Sequence, residues 1–201
     1  MSIRKVLLAA FCGLACALGS INANAHELIF ETFMDGPSEA PPNSSPGTGY
    51  SKVTIDLDMV TMRVEAQFQD LLGTTSAAHI HAPTLFPNTS TANVATQTPS
   101  FSLFPLGVTF GSFDQTFDMT LASSYRAGFI TANGGTVGGA FNALIDALEN
   151  ERAYFNIHTS TFQGGEIRGF YKVIPEPSTV MLIGCGGLAL ALYGWRRRVA
   201  A

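Results

Sequence analysis

Three of the four histidines in this 201-residue chain fall in two short stretches whose alternating pattern predicts β-strands. His79 and His81 flank Ile80, and His158 follows Ile157. Because successive side chains of a strand point to opposite faces, we expect His79 and His81 on one face, with Ile80 in the core. Neutral imidazole is a ligand for both zinc and copper. The spacing therefore suggests a metal site built from histidines.

An acidic residue is a candidate for a further ligand. Glu166 and Arg168 share the polar face of a third predicted strand. If the three strands are neighbours, Glu166 converges with His79, His81 and His158, and together they supply three or four ligands for copper or zinc without cysteine. The alternative interpretation is structural: the histidines form hydrogen bonds between strands, and Glu166 forms an ion pair with Arg168 or another arginine.

Other chemistry has less support. Asp56 and Asp58 share a strand face and could bind calcium, but a solvated polar surface explains them more simply. Signal cleavage before His26 would let its α-amino group and imidazole chelate copper with another histidine. The chain has no Gly-x-Ser-x-Gly, phosphate-binding loop, dinucleotide fingerprint or His-Glu-x-x-His. We therefore expect no enzyme, the alternative being a redox metalloprotein that uses the three strand histidines.

Charge and cysteine content limit the partners of the central body. Residues 26–174 carry six Lys and Arg against fourteen Asp and Glu. Such an acidic body is not expected to bind nucleic acid, whose phosphates are recognised mostly by Lys and Arg. All three cysteines, Cys12, Cys16 and Cys185, lie in apolar terminal stretches. The body therefore has no disulfide, no thiolate nucleophile and no cysteine zinc site.

The elements that must position these residues are mainly strands. Period-two alternation over residues 50–59 and 62–69 predicts two strands joined by a short hairpin connection. Further strands are expected at residues 28–34, 77–82, 113–121, 153–159 and 166–173. An apolar stripe predicts one helix over 138–152, and residues 83–112 read as a long loop with one or two short strands. This pattern predicts an all-β antiparallel sandwich or barrel with one short helix.

The N-terminus has the organisation of a secretory signal peptide over residues 1–25. Basic residues precede an apolar run over residues 6–18, and Ala23-Asn24-Ala25 offers the small side chains that signal peptidase accepts. Cleavage between Ala25 and His26 would expose His26 as the first residue. We expect export across the inner membrane.

The C-terminus, residues 175–201, has three ordered features. Pro175-Glu176-Pro177 precedes a marginal apolar span over residues 180–195, and Arg196, Arg197 and Arg198 follow it. The positive-inside rule keeps the arginines in the cytoplasm and places the body on the other side of the membrane. The trio resembles the PEP-CTERM sorting signal of Gram-negative bacteria. This resemblance implies transient anchoring in the inner membrane, processing by an exosortase, and transfer to the cell surface or release. A permanent transmembrane tether is the alternative.

The body also resembles a known family. The segment 33–42 with Glu39, Pro41 and Pro42, and the phrases His79-Ile80-His81, Asn156-Ile157-His158-Thr159 and Gly164-Gly165-Glu166-Ile167-Arg168-Gly169, occur in the order of the CHRD domain. Ala82-Pro83 replaces the glycine-containing turn that usually follows His-x-His. The resemblance spans residues 28–173 of the predicted 26–174 domain. It implies a binding or structural module of the cell surface or extracellular matrix, with exopolysaccharide or surface proteins as partners, and no established enzymatic activity.

Overall fold

The computed structural model of the chain describes residues 27–174 and, beyond them, Gly184, residues 186–188, Leu190 and Trp195. The predicted signal peptide, its cleavage site, the Pro-Glu-Pro motif and the arginine cluster lie outside the described residues. Within the described part of the chain, no helix has the length and apolar character needed to cross a membrane.

Eight strands form one antiparallel sheet, which confirms the all-β prediction. They are β1 (Glu27–Asp35), β2 (Thr48–Asp56), β3 (Thr61–Gln69), β4 (Thr75–His81), β5 (Gly111–Asp118), β6 (Tyr154–Thr159), β7 (Ile167–Phe170) and β8 (Lys172–Val173). The spatial order is β4-β6-β7-β1-β2-β3-β5, and β8 pairs with β1. The sheet curls into a half-barrel, so its inner face surrounds one core.

The predicted hairpin of β2 and β3 is present. Val53 lies opposite Val64 in the pairing, and both are fully buried, as alternation requires. Asp56 Oδ1 accepts hydrogen bonds from the backbone amides of Asp58 and Met59, each at 2.9 Å. Asp56 thus stabilises the turn, in the way aspartate side chains commonly do.

Two predicted strands differ from the observed ones, since one is divided and the other ends early. The strand predicted over residues 166–173 is divided into β7, which pairs with β6, and β8, which pairs with β1. Tyr171 lies between them, fully buried, and its hydroxyl is 2.7 Å from the Ser51 hydroxyl. The strand predicted over 113–121 ends at Asp118, whose carboxylate accepts a hydrogen bond from the Thr120 amide and turns the chain. Side-chain hydrogen bonds therefore interrupt both runs.

Within residues 27–174, two helices accompany the sheet, α1 (Ala127–Ala132) and α2 (Val137–Glu149), together with a 3₁₀ turn at Ala122–Ser124. The structure confirms the predicted helix as α2, which begins where the Thr136 side chain accepts a hydrogen bond from the Gly139 amide at 3.0 Å. Its apolar stripe is buried in the core. The sequence analysis missed α1, because six residues without a capping side chain carry no clear helical signal.

The long loop between β4 and β5 covers the open side of the half-barrel. The Phe101 ring lies 5.9 Å from the rings of both Phe113 on β5 and Phe155 on β6. The outer edge of β4 is covered as well, since the Phe101 amide donates to the Ala78 carbonyl at 2.9 Å. In place of the expected short strands, this loop forms isolated bridge pairs at Val94 and Thr96. The same loop also reaches the face of β4 that carries the histidines, where the Ala92 carbonyl oxygen lies 2.8 Å from Nδ1 of His81.

Candidate metal centre

The histidines lie on two adjacent antiparallel strands at one edge of the sheet. In the pairing of β4 with β6, His79 lies opposite Asn156, and His158 lies opposite Ala77. Residues that lie opposite each other point to the same face, so all three imidazoles share one face. Ile80 and Ile157 point to the other face and are fully buried in the core. The apolar alternation of both strands therefore aims the histidines away from the core and toward one another.

The structure brings the three predicted histidines together. The ring centroid of His79 is 4.8 Å from that of His81 and 4.7 Å from that of His158, and the third distance is 5.9 Å. One ring nitrogen from each residue lies within 4.8 Å of the other two. His79 is 6% exposed and His81 is 9% exposed, although polar side chains are usually solvated. We call these three side chains the histidine cluster.

Backbone carbonyl oxygens hold one ring nitrogen of His81 and one of His158. Nδ1 of His81 lies 2.8 Å from the Ala92 carbonyl oxygen, and Nδ1 of His158 lies 2.8 Å from the Gln163 carbonyl oxygen. The backbone of Pro99 lies near His79 and partly offsets the lowering of its pKa. A ring nitrogen bonded to a carbonyl oxygen must carry the proton, so the opposite nitrogen carries the lone pair.

Each of the three rings has a buried nitrogen without a hydrogen-bond partner. They are Nδ1 of His79 and Nε2 of both His81 and His158. Carbonyl oxygens that hold one imidazole nitrogen commonly fix the ring orientation of metal-binding histidines. The cluster thus presents three buried ring nitrogens without partners, two of them in rings that carbonyl oxygens orient.

Burial keeps these imidazoles neutral. Desolvation, followed by repulsion from the other two histidines, lowers the pKa of His79 to about 3. Desolvation lowers the pKa of His81 to about 4, with smaller contributions from His158 and then from Arg168 and Arg126. It also lowers the pKa of His158. At neutral pH all three are therefore in the form that binds metal ions.

The spacing of the cluster fits a metal ion after a small contraction. Metal–nitrogen bonds of 2.0–2.1 Å would place three coplanar nitrogens about 3.5 Å apart. The nitrogens lie within 4.8 Å of one another. Closing an equilateral triangle of that size onto an ion moves each ring inward by about 0.7 Å.

The predicted fourth ligand, Glu166, lies elsewhere. Its fully buried carboxylate accepts hydrogen bonds from the Ser45 hydroxyl at 2.6 Å, the Leu72 amide at 2.5 Å, the Gly73 amide at 3.1 Å and the Thr159 hydroxyl at 2.7 Å. Burial by itself would raise its pKa, but these hydrogen bonds outweigh that effect and lower it. Glu166 therefore joins three separate segments, and the expected convergence with the histidines is wrong for this residue.

The ion pair of the structural alternative is absent too. Arg168 lies beside Glu39, with 3.8 Å between its Nε and the nearer carboxylate oxygen. Its Nη1 donates to the Ser90 carbonyl at 3.0 Å, and its guanidinium lies 4.9 Å from the centre of the Tyr154 ring. Arg168 therefore has its own buried partners, and Glu166 is not one of them.

The sequence analysis missed the role of Tyr154. Tyr154 lies opposite His81 in the pairing, and the two rings are stacked, with centroids 4.8 Å apart and planes 2° apart. The available signal was its alternation with His158 on the same strand, which places both on one face. Tyr154 fixes the plane of His81, and Arg168 lies on the ring of Tyr154.

Comparison with known families agrees with the order of the sequence motifs along the chain. The model of the CHRD domain matches residues 30–171, which include the whole histidine cluster. The chain belongs to the CHRD domain family. The model of the PEP-CTERM protein-sorting motif matches residues 173–198, so both resemblances inferred from the sequence are confirmed. No curated protein and no solved structure matches the chain. This CHRD protein is thus exported and sorted by an exosortase to the cell surface or the exterior.

Proposed function

We propose that this CHRD domain is an extracellular binding module whose ligand is one copper or zinc ion, held by His79, His81 and His158. Two observations carry the proposal: one ring nitrogen from each of the three histidines lies within 4.8 Å of the other two, and each ring has a buried nitrogen without a hydrogen-bond partner. Imidazole suits both metals, and the backbone carbonyls that hold the opposite nitrogens act as an outer shell.

A purely structural role explains this geometry less well. Histidines that only join strands would satisfy both ring nitrogens, because a buried polar atom without a partner costs about 1–3 kcal/mol. Here the carbonyl contacts account for only one nitrogen of His81 and one of His158, and each of the three rings has a buried nitrogen without a partner. A bound ion compensates all three unpartnered nitrogens at once.

Metal content of the purified protein tests the proposal. We expect one equivalent of copper or zinc in the wild type after incubation with either metal, and its loss in a His79→Ala, His81→Ala double variant. Ser76→Ala is the matched control, because Ser76 is an exposed residue of the same strand. A wild-type protein that is folded by circular dichroism yet takes up neither metal refutes the proposal.

Redox catalysis is a second candidate function. His158 is only partly buried, and three protein ligands leave a coordination position free for a small substrate. Turnover by the copper-loaded protein, measured against an equal concentration of free copper, tests this candidate. Binding of exopolysaccharide or surface proteins stays a prediction from the family resemblance.

A further inference from the structure

The outer face of the sheet carries a row of uncharged side chains across four strands. Phe33 on β1 lies opposite Tyr50 on β2. Tyr50 lies opposite Gln67 on β3, which in turn lies opposite Ser112 on β5. Residues that lie opposite each other point to the same face, and Met34, which follows Phe33, is buried in the core. These four side chains, which we call the outer row, therefore point away from the core.

A groove of about 580 Å³ lies along the outer row, and Thr48, Gln69 and Phe110 line it as well. Phe33 is 81% exposed and Phe110 is 71% exposed. Single exposed apolar residues are common on protein surfaces, but several aromatic rings along one groove form a patch, and such patches mark binding surfaces. The groove is separate from the histidine cluster, which lies on β4 and β6 at the other edge of the sheet.

The aromatic rings are spread along the groove. The rings of Phe33 and Tyr50 are tilted against each other, with centroids 5.4 Å apart. Phe110 directly precedes β5, so its strand lies three strand spacings from that of Phe33, which corresponds to roughly 14 Å. A ligand that contacts both phenylalanines must therefore be extended and lie across the strands.

The groove is uncharged, although the domain is acidic. The side chains that line it are all neutral. The charged side chains next to it pair with one another, since Lys52 lies 3.8 Å from Glu65, and Arg63 lies 2.6 Å from Asp114. Residues 26–174 as a whole carry an excess of Asp and Glu. A negatively charged polymer is therefore repelled by the domain and finds no cation in the groove, whereas a neutral polymer meets neither obstacle.

We propose that this groove binds a neutral glucan, a polysaccharide of glucose units, in an extended conformation. A β-linked glucose ring carries hydroxyl groups around its rim and C–H groups on both faces. These C–H groups pack on the electron-rich face of an aromatic ring, which Phe33, Tyr50 and Phe110 supply. The amides of Gln67 and Gln69 donate and accept hydrogen bonds, as sugar hydroxyls do. The groove thus offers partners to both parts of the sugar.

Calorimetric titration of the purified protein with the glucose oligomer cellohexaose tests the proposal. A chelator is present, so that the proposed metal site does not contribute. The matched ligand is the same oligomer with its C6 groups oxidised to carboxylates, which keeps the chain and adds negative charge. We expect saturable binding of cellohexaose and binding of the oxidised oligomer that is weaker by about tenfold or more.

Two variants locate the sugar in the groove. Phe33→Ala and Phe110→Ala each remove an exposed ring, so neither change should disturb the fold. Each should weaken the binding of cellohexaose by about tenfold, the effect expected when an aromatic anchor of a binding surface is truncated. Leu121→Ala is the control, because Leu121 is an exposed apolar residue that lies after the far end of β5 and does not line the groove. It should leave the affinity unchanged.

Several results would overturn the proposal. One is a folded protein that does not bind cellohexaose, and another is binding that both phenylalanine variants leave intact, because the sugar would then lie elsewhere. Equal affinity for the oxidised oligomer would refute the assignment to a neutral glucan. Light scattering tests whether the groove instead joins two copies of the chain. A wild-type dimer that Phe33→Ala converts to a monomer would assign this face to self-association.

Discussion

Replacement of Glu166 by glutamine distinguishes a structural carboxylate from a metal ligand. The carboxylate accepts four hydrogen bonds, two from backbone amides and two from hydroxyls. Glu166→Gln keeps the shape but removes the charge, and it turns one acceptor atom into a donor. The Ser45 and Thr159 hydroxyls can rotate, whereas the Leu72 and Gly73 amides cannot. Whichever oxygen becomes the NH₂ group, one backbone amide, that of Leu72 or that of Gly73, then faces another donor and loses its hydrogen-bond partner.

The expected loss of stability follows from these contacts. Hydrogen bonds to a charged group contribute about 1.5–3 kcal/mol each and neutral ones about 0.5–1.5, so the bonds that remain each weaken by about 1 kcal/mol. The buried amide without a partner costs about 1–3 kcal/mol more. With three bonds weakened and one amide left without a partner, we expect Glu166→Gln to lower the free energy of unfolding by about 4–6 kcal/mol, a large part of the 5–15 kcal/mol typical of a domain.

Urea unfolding followed by circular dichroism measures this loss. A chelator is included so that bound metal does not add to the stability. Glu149→Gln serves as the control, since Glu149 is exposed near the end of α2 and the same exchange there should change stability by less than about 0.5 kcal/mol.

Lowering the pH should reduce the difference in the free energy of unfolding between the wild type and Glu166→Gln. The folded protein lowers the pKa of Glu166, so the stabilisation is fully present above the unfolded pKa and is lost as the pH falls through the folded pKa. A variant as stable as the wild type at pH 7, but unable to bind metal, would refute the structural role and restore Glu166 as a ligand.

Three further predictions concern the strand pairing, a buried acid and sorting. Gly169→Ala should lower the melting temperature by several degrees, because its Cβ would collide with the backbone of β1, whereas Gly164→Ala, which meets no atom within 4 Å, should leave it unchanged. Burial raises the pKa of Glu39 to about 7, so the folded state holds more protons than the unfolded state between pH 4.5 and 7. The free energy of unfolding should therefore fall as the pH rises through that window, and Glu39→Gln should remove this slope in urea titrations at several pH values. Replacing Pro175 to Pro177 by alanines should leave the protein in the cell membrane rather than at the surface or in the medium, as measured by intact mass and fractionation; unchanged location would favour a simple tether.

The alternation of apolar and polar residues in the sequence was sufficient to predict the strands and the strand face on which each histidine lies. Alternation about Ile80 places His79 and His81 together whatever the neighbouring strands are, since strand geometry alone decides it. The same reasoning holds for the apolar stripe of α2, whose residues are buried as predicted. The family and the sorting motif could also be predicted from the sequence, because short motifs in a fixed order along the chain identify both.

Glu166 shows where local pattern fails. It precedes β7 in a bend, after Gly165, whose φ of +130° is open to glycine and rarely adopted by other residues. Strand alternation does not apply in such a turn, so it cannot tell where the carboxylate points. Its hydrogen-bond donors at Ser45 and Leu72 are about a hundred residues away along the chain, and their approach depends on the order of strands in the sheet.

The sequence by itself determined that this is an exported, cysteine-free β domain with two histidines on one face of a strand, because composition and period-two alternation are local properties of the chain. Only the tertiary structure decided that β6 pairs with β4 and brings His158 to the other two. It also decided that a loop covers them and removes water from the cluster. Strand order and loop coverage arise from the packing of one shared core, to which residues distant in the chain contribute together.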